Sequence, residues 1–211
     1  VILFKNKKIL TAVKGKDMKI VCLGDSLTYG FGVRRSKIWT KIAQDRLNIE
    51  IINEGINGDT SGGMLSRYHE SVYMKRPEAV LIMGGVNDFI AGADLGVVKA
   101  NIMSMAHQSI AKYIDPIIGI PTKIDLKNVR QDWSEFTDFE MVAKELYEYR
   151  QWIFKFCKTF NIKYIDFYEE FEKATELKPG DYYTDGLHFN EQGNEILAEI
   201  FCSAISSFKK K

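Results

Sequence analysis

"IVCLGDSLTYGFGV", residues 20–33, decides how the chain is read. An apolar run climbs to Gly24, and Asp25-Ser26-Leu27-Thr28 follow with no spacer. A short apolar run without polar alternation reads as a strand buried on both faces. Just beyond it stand a small residue and then a hydroxyl, where the chain must turn. Such a serine is either a turn or cap residue, or a nucleophile held at the rim of a sheet.

Four more runs resemble the first, so that strands fall at 18–23, 49–53, 79–83, 116–120 and 162–167. Helical stripes lie between them. Ile38, Ile42 and Ala43 share a face behind Ser36 as cap, and Met64, Leu65, Tyr68 and Val72 form a second stripe ended by Pro77. Leu95, Val98, Ile102 and Met105 form a third. Phe139, Val142, Leu146, Tyr149, Ile153 and Phe160 form the longest, and Ile196, Leu197, Ile200, Ala204 and Phe208 the last, with Asn190 as its cap. Strands alternating with helices predict a parallel sheet covered on both faces. The expected fold is an α/β/α three-layer sandwich with a five-stranded parallel sheet in the flavodoxin-like order 2-1-3-4-5, one domain over 18–208.

Residues 1–17 stand apart, with lysines at 5, 7, 8, 14 and 16 against one acid, Asp17. They read as an N-terminal extension ahead of a natural start at Met18, or equally as a short strand or hairpin; 209–211 is a basic tail. Over the whole chain, 29 Lys and Arg balance 28 Asp and Glu, which argues against nucleic acid as main partner. No apolar run reaches the roughly 18 residues of a spanning helix, so no stable membrane anchoring is expected. Cys22, Cys157 and Cys202 are an odd, scattered set without CxxC, which fits packing residues in a reducing, cytoplasmic setting.

In an open α/β sheet, sites form beyond the carboxyl ends of the strands where the strand order reverses. Strand 1 runs into "GDSLTYG", strand 2 into "NEGINGDTSGG" and strand 3 into "GGVNDF". In the order 2-1-3 these put Ser26, Gly58 and Asn87 on one patch. The long segment after strand 5 ends in "YYTDGLHFN", long enough to bring Asp185 and His188 back across the sheet. Two intervening residues let these side chains meet. His69 and His107 have no such company and read as helix-surface residues.

These four blocks, "GDSLTYG", "INGDTSGG", "GGVND" and "DGLHFN", resemble those of the GDSL, or SGNH, hydrolase family, in the family's order and over most of the chain. The resemblance implies an ester hydrolase on the SGNH hydrolase fold. It puts Ser26, Gly58, Asn87 and His188 at the four named positions, with Asp185 as third member of the triad. His188 is then the base for Ser26, and Asp185 fixes its tautomer. The Ser26 and Gly58 amides and the Asn87 side-chain amide form the oxyanion hole. "GDSLT" lacks the second glycine of the G-x-S-x-G elbow, so the serine is expected on a looser turn.

The expected substrate is a small-molecule ester carrying a short acyl chain on a small or soluble alcohol. Carboxylesters, thioesters, lysophospholipids and acetylated sugars remain open. The pocket is expected from loops near 29–35, 89–94 and 122–138, with Tyr29, Phe31, Phe89 and Phe189 as walls and 122–138 as a flap carrying Trp133 or Phe136. Asp25, Asp59 and Asp88 are expected to brace loops. No cofactor and no metal is expected, because the three histidines are scattered. Hydrolysis should rise with pH as His188 loses its proton. A non-catalytic flavodoxin-like domain binding a nucleotide or a carbohydrate is the alternative, and a homo-oligomer is left open.

Overall fold

The computed structural model describes residues 18–176 and 178–208; the extension at 1–17 and the tail at 209–211 lie outside them. Five strands, β1 (Lys19–Gly24), β2 (Glu50–Gly55), β3 (Ala79–Met83), β4 (Asp115–Ile120) and β5 (Lys163–Asp166), form one parallel sheet in the order β2-β1-β3-β4-β5. The helices are α1 (Ser26–Tyr29), α2 (Trp39–Leu47), α3 (Ser61–Ser66), α4 (Tyr68–Ser71), α5 (Val86–Ile90) and α6 (Leu95–Ala111). They continue with α7 (Gln131–Phe136), α8 (Phe139–Phe160), α9 (Phe167–Ala174) and α10 (Glu191–Phe208).

Alternate residues of β1, β3 and β4 feed opposite cores, as the period of two requires. Val21, Leu23, Val80 and Ile82 pack with Val98 and Ile102 of α6 and Leu146 and Tyr149 of α8. Ile20, Cys22 and Leu81 pack on the other face with Trp39 and Ala43 of α2 and Leu197 and Phe201 of α10. The central strands β1, β3 and β4 are therefore dry on both faces, which is why they read as continuous apolar runs.

Three details depart from the expected helices. Ser36 lies in a 3-10 turn, Arg35–Lys37, and α2 begins at Trp39 without a side-chain cap from its own segment. The free Trp39 N–H donates instead to Asn194 Oδ1 of α10 at 3.1 Å, a cap supplied across the fold. The stripe through Met64 and Val72 is two short helices broken at Arg67. Phe160, expected on the buried stripe of α8, is exposed in its last turn. Asn190 does cap α10, with Oδ1 accepting from the Gly193 N–H at 2.9 Å.

The small residue at the end of β1 has a steric reason. Gly24 pairs with Gly55 of β2 and with Met83 of β3. A Cβ on Gly24 would stand 2.2 Å from Thr28 Oγ1 and 2.5 Å from the Met83 carbonyl oxygen. One on Gly55 would stand 2.2 Å from the Tyr29 backbone nitrogen. The two glycines let α1 fold back directly onto the sheet edge. From behind, Trp39 Nε1 donates to the Leu27 carbonyl at 3.0 Å and holds α1 there.

Candidate active site

Ser26 is the first residue of α1, so its N–H has no intrahelical acceptor. Asp25 caps this short helix, its Oδ1 accepting from the Leu27 N–H at 2.9 Å. The hydroxyl of Ser26 reaches His188 Nε2 at 2.8 Å, and His188 Nδ1 reaches Asp185 Oδ2 at 2.8 Å. With Nδ1–H donated to the carboxylate, Nε2 is left to accept from the serine hydroxyl.

The Asp185 carboxylate also shapes its own loop. Its Oδ1 accepts from the backbone N–H groups of Leu187 at 3.1 Å and His188 at 2.7 Å. The Thr184 N–H donates to the His188 carbonyl at 2.8 Å and closes the turn. Burial alone would raise the Asp185 carboxyl. The hydrogen bonds from the His188 ring and backbone, the histidine charge and the Leu187 N–H outweigh it and hold the carboxyl below its ordinary range. Ser26 and His188 are only 6% and 7% exposed, so the pair sits in a narrow, largely dry place.

Gly58 and Asn87 lie just beyond β2 and β3, whose ends flank Gly24 in register. Gly58 has φ +74°, a left-handed conformation that favours glycine, and nothing stands within 4 Å of where a Cβ would be. Asn87 Nδ2 donates one hydrogen to the Asp59 carbonyl at 2.9 Å, which leaves its second hydrogen free and ties the two loops together. Asp88 accepts from the Ser61 N–H at 2.7 Å and hydroxyl at 2.6 Å, so it braces the start of α3. Asp59 pairs with Arg67.

The four aromatic residues expected as pocket walls divide. Phe31 lies beside the His188 ring, centroids 4.6 Å apart, and is 40% exposed. Tyr29 is half-buried and accepts through its hydroxyl from Arg35 Nη2 at 2.6 Å, beneath that guanidinium. Phe89 and Phe189 are corrected: both are buried. Phe89 faces Tyr149 in one core, and Phe189 packs on Phe171 and Tyr183 in the other. Phe189 follows His188 at a strand bridge, where the next side chain takes the opposite face, and Phe89 stands two residues, roughly 200°, round the short helix α5 from Asn87. In the 122–138 segment Trp133 approaches His188, whereas Phe136 is exposed. The segment is tied to the Asp185 loop by the Asp125 N–H, which donates to the Gly186 carbonyl at 2.9 Å. Sequence reasoning passed over Arg67, a polar position on a helical stripe that reads as solvated. Its side chain is largely buried and faces the sheet edge. Among the described residues no group of three or more His, Cys, Asp or Glu is placed to hold a metal ion, and no helix is long and apolar enough to cross a membrane.

Residues 22–196 match the model of the GDSL-like Lipase/Acylhydrolase family, and the chain belongs to that family. An arylesterase of Vibrio mimicus is 33% identical over 101 residues, 46% of this chain and 50% of that protein. Esterase TesA of Pseudomonas aeruginosa is 29% identical over 109 residues, 49% of this chain and 54% of that protein. The chain thus matches about half the length of these two relatives. Thioesterase 1/protease 1/lysophospholipase L1 of Escherichia coli (strain K12) is 23% identical over 85% of this chain and 79% of that protein. Among solved structures, a lipase/acylhydrolase from Enterococcus faecalis superposes with a TM-score of 0.72 at 26% identity, covering 90% of this chain and 96% of the other. A member of the lipolytic protein G-D-S-L family from Veillonella parvula gives 0.75 at 24% identity over 90% and 98%.

Proposed function

We propose that the chain is a serine esterase that hydrolyses short-chain acyl esters of a small or soluble alcohol through an acyl-enzyme intermediate. The observation that carries this reading is the continuous contact Ser26 Oγ, His188 Nε2, His188 Nδ1, Asp185 Oδ2, with 2.8 Å at both junctions. A serine hydroxyl is a weak nucleophile until a base takes its proton, and this order supplies the base and its orienting carboxylate.

In the proposed reaction the Ser26 proton passes to His188 Nε2 as Oγ attacks the ester carbonyl carbon. The oxyanion is met by the Ser26 N–H, the Gly58 N–H and the free Asn87 Nδ2 hydrogen. His188 then returns the proton to the leaving alcohol oxygen, and the acyl group stays on Ser26. Water gives a proton to His188 Nε2 as it attacks the acyl carbon; the bond from that carbon to Ser26 Oγ then breaks, His188 returns the proton to Oγ, and the acid leaves. Asp185 stays ionised throughout, which its lowered pKa favours. The preference for short acyl chains rests on the narrow setting of Ser26 and His188 beside Phe31 and Trp133. The names of the related arylesterase and of thioesterase 1/protease 1/lysophospholipase L1 include ester classes that this reading proposes. We assign one hydrolase domain over 18–208, in a cytoplasmic setting, with Cys22 and Cys157 as buried packing residues.

Treatment with a fluorophosphonate, followed by intact-mass analysis and peptide mapping, tests the reading without a guess at the substrate. The expected result is one adduct, on Ser26, absent in His188→Ala. A folded protein that takes no adduct overturns the reading and favours the non-catalytic binding domain.

A further inference from the structure

We propose that Arg67 is a positioning residue that holds the three oxyanion donors in a common register; the proposal rests on the esterase reading above. The break between α3 and α4 falls at Arg67 itself, which lets its side chain leave the helix line and reach the sheet edge. There it touches the chain on both sides of the nucleophile turn. Nη2 donates to the Gly24 carbonyl at 3.0 Å, two residues before Ser26, and to the Glu54 carbonyl at 2.9 Å, four residues before Gly58. Nε donates to Asp59 Oδ2 at 2.8 Å, one residue after Gly58. The third donor is reached through Asp59, whose carbonyl accepts from Asn87 Nδ2. One guanidinium therefore spans the ends of β1 and β2 and, through a single residue, the loop after β3.

The remaining contacts fix the guanidinium itself. Nη1 donates to Ser71 Oγ at 3.1 Å and stands 3.8 Å from a Glu54 carboxylate oxygen. Its planar fork of five N–H groups matches this spread of acceptors, which a lysine ammonium cannot do. The Asp59 carboxylate is seated against Gly63, where a Cβ would fall 1.9 Å from Asp59 Oδ1. That close approach is open to glycine alone. Arg67, Asp59 and Gly63 thus form one clamp behind Gly58. None of them touches the place where substrate would react, so the clamp acts only through where it holds the donors.

The test compares Arg67→Gln, Arg67→Lys, Asp59→Asn and Gly63→Ala with the unmodified chain. It uses p-nitrophenyl acetate as substrate and records kcat, KM, the pH–rate inflection, the melting curve and the rate of fluorophosphonate labelling of Ser26. Losing an oxyanion donor typically costs about 10²–10³ in kcat, so a displaced set should cost about 10–100-fold. The expected result for Arg67→Gln is that loss in kcat, with KM within about twofold, an unchanged pH inflection and a cooperative melt. Arg67→Lys should recover part of it, and Asp59→Asn and Gly63→Ala should show the same split. The last two carry the test if Arg67→Gln does not fold. Folded variants with kcat within about threefold of the unmodified chain would overturn the proposal. So would losses that follow the fraction unfolded, or that move the pH inflection. If the unmodified chain neither hydrolyses the ester nor labels at Ser26, the esterase reading itself has failed and the clamp falls with it.

Discussion

Trp133 and His188 meet edge to face, with ring centroids 5.7 Å apart and planes at 75°. The helix that carries it, α7, has no buried residue and is fastened after its end by Thr137 Oγ1, which donates to the Ile90 carbonyl at 2.7 Å. Trp133 therefore stands half-buried between the His188 ring and the rim of one core, against which it packs. In Trp133→Ala the chain-length preference should move: kcat/KM for hexanoyl over acetyl p-nitrophenyl esters should rise about tenfold, the scale of one or two methylene contacts in a pocket. The melting temperature should fall by only a few degrees, because the indole is half-buried against the rim of the core. An unmoved acyl-chain profile would show that Trp133 does not wall the acyl site.

Asp185 is asked to do two jobs, ordering the 185–188 turn and orienting the imidazole. An asparagine keeps an oxygen for the turn but can present an N–H to Nδ1, which favours the wrong tautomer. Asp185→Asn should fold and lose on the order of 10³–10⁴ in kcat, as such substitutions do in other triads. Because the folded pKa of this carboxyl is lowered, its stabilisation is complete above the ordinary carboxylate range and is lost as pH falls through the folded value. The melting difference between the unmodified chain and Asp185→Asn should therefore shrink on acidification below about pH 4. Kinetics at neutral pH and melting from pH 3 to 7 check both halves.

Gly55 is the point where α1 rests on the sheet. An added Cβ would meet only backbone there: Tyr29 N at 2.2 Å, Tyr29 Cα at 2.6 Å and Thr28 C at 2.7 Å. None of these can swing away, so α1 must lift and carry Ser26 from His188. Gly55→Ala should cost about 1–3 kcal/mol in urea denaturation. The surviving folded protein should label with a fluorophosphonate about 100-fold more slowly, since a shift near 1 Å at a reacting group costs about that much. Normal labelling would mean that the turn tolerates more movement than its packing implies.

How far the sequence alone reached follows from the same contacts. All five strands were legible to within one or two residues, because Val21, Leu23, Ile20 and Cys22 serve two cores and leave no polar alternation to blur the run. Three of the four polar blocks were legible because each follows a strand, and the register of Gly24 with Gly55 and Met83 brings those strand ends side by side; the fourth was legible from the length of the segment after β5, which reaches back to them. What escaped were features decided by distant partners. The cap of α2 is Asn194, 155 residues away. The role of Arg67 depends on Gly24 and Glu54, and no local pattern marks an arginine whose acceptors are the backbone of two strands. Phe89 and Phe189 failed as pocket walls because adjacency to a motif residue says nothing of which side the next side chain takes.

Asp25 carries the last prediction, through stability as well as activity. It is 1% exposed; one oxygen accepts from the Leu27 N–H, and Oδ2 has no partner among the described residues. Burial raises its pKa to about 7. The Leu27 N–H and the His188 charge pull it back in part, and Asp59 and Asp88 push it up further. The folded protein thus holds this proton more tightly than the unfolded chain, which releases it near 3.8. The stabilisation is complete below that value, declines as pH rises toward about 7, and is absent above it. Asparagine cannot ionise and still caps α1 through its oxygen. Asp25→Asn should therefore melt closest to, or above, the unmodified chain at pH 8, and fall progressively behind it from pH 7 to pH 5. Because the cap is kept, Ser26 stays in place, and hydrolysis should fall far less than in Ser26→Ala. Paired melting curves from pH 5 to 8 decide it: a difference that does not change with pH would mean that Asp25 is ionised in the fold throughout, and that some buried group supplies the charge its Oδ2 lacks.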